Sequence, residues 1–222
     1  VHPIPPAVDL VIPVKTLDTA KSRLRGAADG GRGEAAAHAR LALALAHDTV
    51  AAARDAGLVR RLLVVSSDPV VAAELAAVGI EVVPDSTNGS GLNAAYALGA
   101  GLLRRRDPST TVGALPADLP ALRPGELDAA VRAAFGAGAA RAFVPDAAGT
   151  GTTLLLAGPR RPLDPRFGVG SADRHAGSGA HRLTGDWPGL RQDVDTTDDL
   201  LAAAALGLGP HTRCVLAPSP RC

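Results

Sequence analysis

A chain of 222 residues, 46% hydrophobic and 20% charged with a formal net charge of +1, has the size of one large domain or two small ones. At this length roughly 70% of the unfolded surface can be buried, and the apolar content and low net charge exclude disorder, while the charge balance argues against a general nucleic-acid or polybasic membrane binder. Aromatic residues are only 2%, which removes base-stacking platforms and aromatic cages and leaves a core of Ala, Val and Leu.

Short β-branched runs alternate with longer Ala/Leu-rich segments. Residues 8–14 (VDLVIPV) read as a first strand, followed by a polar loop over 15–33 and a helix over 34–56 that closes at Gly57. A strand at 62–65 precedes a short helix over 69–78, for which Asp68 is a credible N-cap. A third strand at 81–83 leads through a loop to a helix over 92–105, and a fourth strand falls at 111–115. Pro124 suits the first turn of a helix ending near Gly136. Strands follow at 142–144 and 152–157, and the last helix, 196–206, has Asp195, Asp198 and Asp199 at its positive end. Continuous apolar strands alternating with helices indicate an α/β fold with a mainly parallel sheet. Residues 158–189, rich in Gly, Pro, Arg and His, read as an irregular binding loop.

No apolar run approaches the ~20 residues that span a bilayer. The first fifteen residues lack a basic n-region and a small-residue cleavage site, so no secretory signal is read and the cytoplasm is the expected location. Cys214 and Cys222 lie in a Pro-rich tail, match no metal or redox spacing and are read as incidental thiols.

In doubly wound sheets ligands bind beyond the C-terminal strand ends, so the loops there carry the functional argument. The first holds the chain's only lysines, Lys15 and Lys21, together with Arg23 and Arg25. Such a cationic cluster suits a polyphosphate, although it is not a P-loop, and a solvated basic loop is the plain alternative. Asp118, held between Pro116 and Pro120 just past the fourth strand, suits a metal ligand or a turn aspartate. Asp193 and Asp195 are alternate residues and share one side of an extended segment, though Asp195 alone reads as an N-cap. Two acidic sites facing a cationic loop are what Mg²⁺-nucleotide chemistry uses, with one or two carboxylates plus phosphate oxygens and water. The clusters at 149–153 (GTGTT) and 166–171 (RFGVGS) can close backbone N–H groups and hydroxyls on a small anion. Gly89 and Gly91, with Asn93 in the next helix's first turn, could approach a base or ribose or merely shape the helix start. Of six histidines, only His175 falls in a candidate binding loop, and a helix-surface role is expected for it.

The ordered set PVKTLDTAKSRL, GSGLNAA, ALPADLPAL, GTGTTLL, RFGVGSADRH and DVDTTDDL resembles the phosphoenolpyruvate and 2-phospho-L-lactate guanylyltransferases of coenzyme F-420 biosynthesis, over nearly the whole chain. The resemblance implies a single Rossmann-like nucleotidyltransferase domain over 8–208, with helices on both faces of the sheet and a Pro-rich tail over 209–222. It implies transfer of GMP from GTP to phosphoenolpyruvate with Mg²⁺ as cofactor. Carried over by motif, Asp118 and Asp193 hold Mg²⁺, with Asp195 as a further metal contact. Lys15, Lys21 and Arg23 take the GTP phosphates and stabilise the departing pyrophosphate, and Gly91 and Asn93 contact GTP. Thr152, Gly168 and Ser171 bind phosphoenolpyruvate through backbone N–H groups and the Ser171 hydroxyl. Expected partners are GTP and phosphoenolpyruvate, with no nucleic acid and no membrane; hand-over of product to the next enzyme and a homo-oligomer are left open. A nucleotidyltransferase acting on phospholactate, 3-phosphoglycerate, a sugar phosphate or a pterin, and a non-catalytic nucleotide-binding protein, are the alternatives.

Overall fold

Every residue of the first strand, β1 (Val8–Pro13), is buried, as required of a strand covered on both faces. The computed structural model describes residues 7–17, 24–87 and 89–217. In chain order β1 is followed by α1 (Ala35–Asp55), β2 (Val59–Val65), α2 (Pro69–Ala77), β3 (Glu81–Val83), α3 (Leu92–Arg106), β4 (Thr111–Ala114) and α4 (Pro124–Gly136). Then come β5 (Arg141–Pro145), β6 (Thr152–Ala157), α5 (Ser171–Gly177), β7 (His181–Arg182), α6 (Pro188–Arg191), α7 (Thr197–Leu206) and α8 (Pro210–Leu216).

The sheet order is β3-β2-β1-β4-β6-β5-β7. β1 pairs in parallel with β2 and with β4, β2 with β3, and β5 with β7, while β6 runs antiparallel to both of its neighbours. The mainly parallel sheet expected from the apolar strands is therefore present, with β6 as the reversed strand. From β1 the chain first builds outward through β2 and β3, then crosses back to place β4 on the other side of β1. That reversal makes the C-terminal ends of β1 and β4 a switch point, where a crevice opens.

Alternation along β1 divides the core. Leu10 and Ile12 pack with residues of α1, α2 and α4 on one face, such as Val50, Leu75 and Leu127. Val11 packs on the other, with Tyr96 and Leu103 of α3 and Ala172 of α5. Gly99 lets α3 lie close on this face, since a Cβ there would sit 2.5 Å from Val11 Cγ1. Asp68 caps α2 as expected, accepting from the backbone N–H groups of Val70 and Val71, with Pro69 in the first turn.

Two segments differ from the sequence expectation. The stretch 158–189 is not wholly irregular, because it contains α5, β7 and the start of α6. Those elements are too short to show an apolar period. Beyond residue 208 the chain forms α8, whose first turn is anchored on α1: the buried Asp48 carboxylate accepts from the backbone N–H groups of His211 (3.0 Å) and Thr212 (2.8 Å). Val215 and Leu216 pack against a small core that includes Leu41, Leu45 and Leu200. Cys214, expected as a thiol, is disulfide-bonded. No helix among the described residues is long and apolar enough to cross a membrane.

Candidate active site

A cavity of about 850 Å³ opens at the switch point, lined from β1 and its following loop by Pro13, Val14 and Lys15, and beyond β4 by Pro116, Ala117 and Asp118. Asp193 and Asp195 face it from the segment before α7. The two acidic segments are tied directly, since Val194 N–H donates to the Asp118 carbonyl at 3.1 Å. Asp118 is further fixed by its neighbour: Leu119 N–H donates to the Thr49 hydroxyl (2.9 Å), which itself donates to Leu45 O within α1. The extended segment does place Asp193 and Asp195 on one side. Asp195 is not the helix cap, because Thr196 takes that position in a capping box with Asp199.

The fully buried Tyr96 lines the same cavity, and its hydroxyl has no hydrogen-bond partner among the described residues. Burial first, and the Asp118 carboxylate second, push its phenol well above the usual tyrosine range, so it stays protonated. Lys15 also borders an adjoining groove of about 300 Å³ lined by Asp85, Gly89, Gly91 and Leu92. The loop that carries Lys15 is pinned where Leu17 N–H donates to Asp68 at 2.9 Å. Lys21 and Arg23 lie outside the described residues.

The rest of the lining comes from the reversed strand and the loop that follows it: Thr150 and Gly151 before β6, Thr152 at its start, and residues 167–171 before and at the start of α5. Gly168 (φ 115°) and Gly170 (φ 70°) give the turn a backbone that L side chains rarely adopt. Three anchors hold it. The Asn93 amide grips both backbone groups of Phe167, accepting from its N–H at 2.7 Å and donating to its carbonyl at 3.1 Å. The Arg174 guanidinium donates to Arg166 O (2.9 Å from Nη2) and to Val169 O. His175 Nε2 accepts from Arg166 N–H at 2.9 Å.

Lys15, Asp118, Asp193, Asp195, Thr152, Gly168 and Ser171 thus share one cavity, and Gly91 borders the groove beside it. Three expectations change. Asn93 was assigned to GTP, but its amide is committed at both ends to the Phe167 backbone. Of the backbone donors expected around Ser171, its own N–H serves the turn by donating to Gly168 O, as the neighbouring Ala172 N–H does to Thr150 O. His175 is no surface residue. It is completely buried, bonded to Thr152 through Nδ1 at 2.9 Å and flanked by the Phe167 and Phe143 rings. Sequence reasoning also passed over Tyr96, Asp173 and Asp146, all on the cavity. Asp146 shapes its own turn, accepting from Thr150 N–H and Gly151 N–H at 2.9 and 2.8 Å. Its D-x-x-G-x-G spacing was the available cue.

The donor set fits a hard divalent cation of the Mg²⁺ kind. Carboxylates from two segments face one space, and among the described residues no three His, Cys, Asp or Glu side chains group as a preformed cage. Mg²⁺ is held in that way by one or two carboxylates, with phosphate and water oxygens completing its shell.

The MobA-like NTP transferase domain matches residues 36–203, so the open α/β sheet with its charged switch-point cavity is that of a nucleotidyltransferase. The fold is shared with a nucleotidyl transferase from Methanothermobacter thermautotroptrophicus (TM-score 0.58, 17% identity, 88% of this chain and 94% of that one). It is also shared with 4-diphosphocytidyl-2C-methyl-D-erythritol synthase from Anaerococcus prevotii (TM-score 0.58, 11% identity, 90% and 96%). Two curated relatives are named phosphoenolpyruvate guanylyltransferase: one from Geodermatophilus obscurus is 52% identical, covering 97% of this chain and 96% of its own. The other, from Streptomyces scabiei, is 53% identical, covering 94% and 95%. The chain belongs to the phosphoenolpyruvate guanylyltransferase family.

Proposed function

We propose that this protein transfers the guanylyl group of GTP to the phosphate of phosphoenolpyruvate, giving enolpyruvyl-diphospho-guanosine and pyrophosphate, as a cytoplasmic step of coenzyme F-420 biosynthesis. The observation that carries the reading is one cavity lined both by Lys15 with Asp118, Asp193 and Asp195 and by the hydroxyl- and glycine-bearing residues Thr152, Gly168 and Ser171. An oxygen of the acceptor phosphate attacks the α-phosphorus of GTP, the bond between the α-phosphorus and the bridging oxygen breaks, and pyrophosphate departs. A phosphate monoester, with a second pKa of about 6, is mostly a dianion at neutral pH, so the reaction needs no general base. The task is to bring two polyanions together, by positioning and by charge neutralisation.

Lys15, with Lys21 and Arg23 of the same loop, is assigned to the triphosphate and the departing pyrophosphate, and the nucleoside to the groove at Gly91. Asp118 and Asp193 would hold Mg²⁺, with Asp195 beside them, and the ion would supply charge neutralisation at the α-phosphate. The acceptor's carboxylate is assigned to Thr152, Gly168 and Ser171, which leaves its phosphate toward the acidic residues. Pyrophosphate release that requires both GTP and phosphoenolpyruvate tests the reading. Release with GTP and a sugar phosphate but none with phosphoenolpyruvate would transfer the protein to another acceptor class.

A further inference from the structure

His175 is buried, lies outside the cavity lining and has both ring nitrogens in use. Arg166 N–H points at Nε2, so that nitrogen must present a lone pair and the ring proton resides on Nδ1. The Nδ1–H then donates to Thr152 Oγ1 at 2.9 Å. An imidazolium would set a second N–H against that of Arg166. Burial first, then the Arg141 and Arg174 guanidinium groups, hold the ring's pKa down at about 4, so it is neutral at physiological pH.

This fixes what Thr152 can offer. With one lone pair of Oγ1 occupied by the Nδ1–H of His175, the hydroxyl's own hydrogen is left to donate elsewhere, and Thr152 is among the residues that line the cavity. An anionic acceptor substrate requires donors there and rejects lone pairs. The same ring holds the Arg166 end of the glycine turn that carries Gly168 and Ser171. We propose that His175 is a positioning residue for the acceptor half of the site: it orients the Thr152 hydroxyl as a donor to the substrate anion and locks the 166–171 turn. The proposal rests on the assignment of phosphoenolpyruvate to those residues.

The test compares His175→Leu with His175→Asn, side chains of nearly one shape. The Asn amide can place an N–H where Nδ1–H stood, and Leu cannot. Steady-state KM values for phosphoenolpyruvate and GTP are measured for both, for Thr152→Val, and for Thr152→Val combined with His175→Leu. Expected is a rise of about tenfold or more in the phosphoenolpyruvate KM for His175→Leu and Thr152→Val, with the GTP KM within about twofold of wild type. His175→Asn, which restores the donor to Thr152 but not the acceptor for Arg166 N–H, should recover part of the loss, and the double variant should fall well short of the product of the two single effects. Equal losses in the Leu and Asn variants, or effects that multiply in the double variant, would overturn the proposal. If His175→Leu fails to fold, His175→Asn decides with Thr152→Val: a phosphoenolpyruvate KM as high in His175→Asn as in Thr152→Val overturns it. Wild-type protein that turns over phospholactate or 3-phosphoglycerate but not phosphoenolpyruvate would refute the acceptor reading instead, and the same variants read with that acceptor would still decide the role of His175.

Discussion

Neutral burial of His175 has a consequence for stability that pH can read out. Its pKa falls from an ordinary 6.5 to about 4, because burial disfavours the charged ring and the guanidinium groups of Arg141, Arg174 and Arg166 repel it, with Asp164 opposing them. Between these two values the unfolded chain binds a proton that the folded chain does not. Stability is therefore full above pH 6.5 and is lost as pH falls toward 4. The whole difference corresponds to about 3 kcal/mol, of which roughly three-quarters has gone by pH 4.5. Urea unfolding at pH 7.5 and pH 4.5 measures it, on wild type and on His175→Asn, which cannot titrate at that position. Wild type should lose about 2.5 kcal/mol more than the variant between the two conditions. His47, also lowered by burial, is common to both proteins and cancels. Equal losses in the two would show that His175 is protonated in the folded state near its ordinary pKa, and would refute the neutral, doubly bonded ring.

The other predictions concern the cavity lining and the C-terminal helix. Asp118→Asn and Asp193→Asn should each nearly abolish turnover with the fold retained, and chelator should remove activity that Mg²⁺ restores; normal rates in both variants would remove the two-aspartate site. Lys15→Ala should lower the rate of guanylyl transfer at least about tenfold, or about 1.4 kcal/mol, as read by pyrophosphate release. Ser171→Ala should raise the phosphoenolpyruvate KM by roughly ten- to a hundredfold while sparing GTP, since a hydrogen bond to a charged group contributes ~1.5–3 kcal/mol. Asp48→Ala should destabilise the protein by about 1–3 kcal/mol in denaturant unfolding by removing the acceptor that holds the first turn of α8.

Apolar runs and caps made the element order readable. The strands at 81–83 and 152–157 and the helix from Pro124 have the bounds expected of them, because each is bracketed by turn residues or by proline. The reversal of β6 was not readable, since a buried antiparallel strand and a buried parallel one carry the same apolar pattern. α5 escaped for a different reason: its seven residues start from the left-handed Gly170 and run through Asp173, Arg174 and His175, which read as loop. The charged lining was legible because Lys15 and Asp118 follow strands β1 and β4 and Asp193 alternates with Asp195 just ahead of the last predicted helix. His175 and Asn93 were not, for their work is to hold backbone that only folding brings near. Asn93 and Phe167 are 74 residues apart in the chain.

The central claim is transfer of a guanylyl group to the phosphate of phosphoenolpyruvate. Mass spectrometry of the product formed from GTP, Mg²⁺ and an equimolar mixture of phosphoenolpyruvate, 2-phospho-L-lactate and 3-phosphoglycerate tests it most directly. Enolpyruvyl-diphospho-guanosine should be the dominant product, formed in step with pyrophosphate and absent when Asp118→Asn replaces wild type. A dominant guanylylated lactate or glycerate product, or pyrophosphate released with no guanylylated acceptor, would contradict the account.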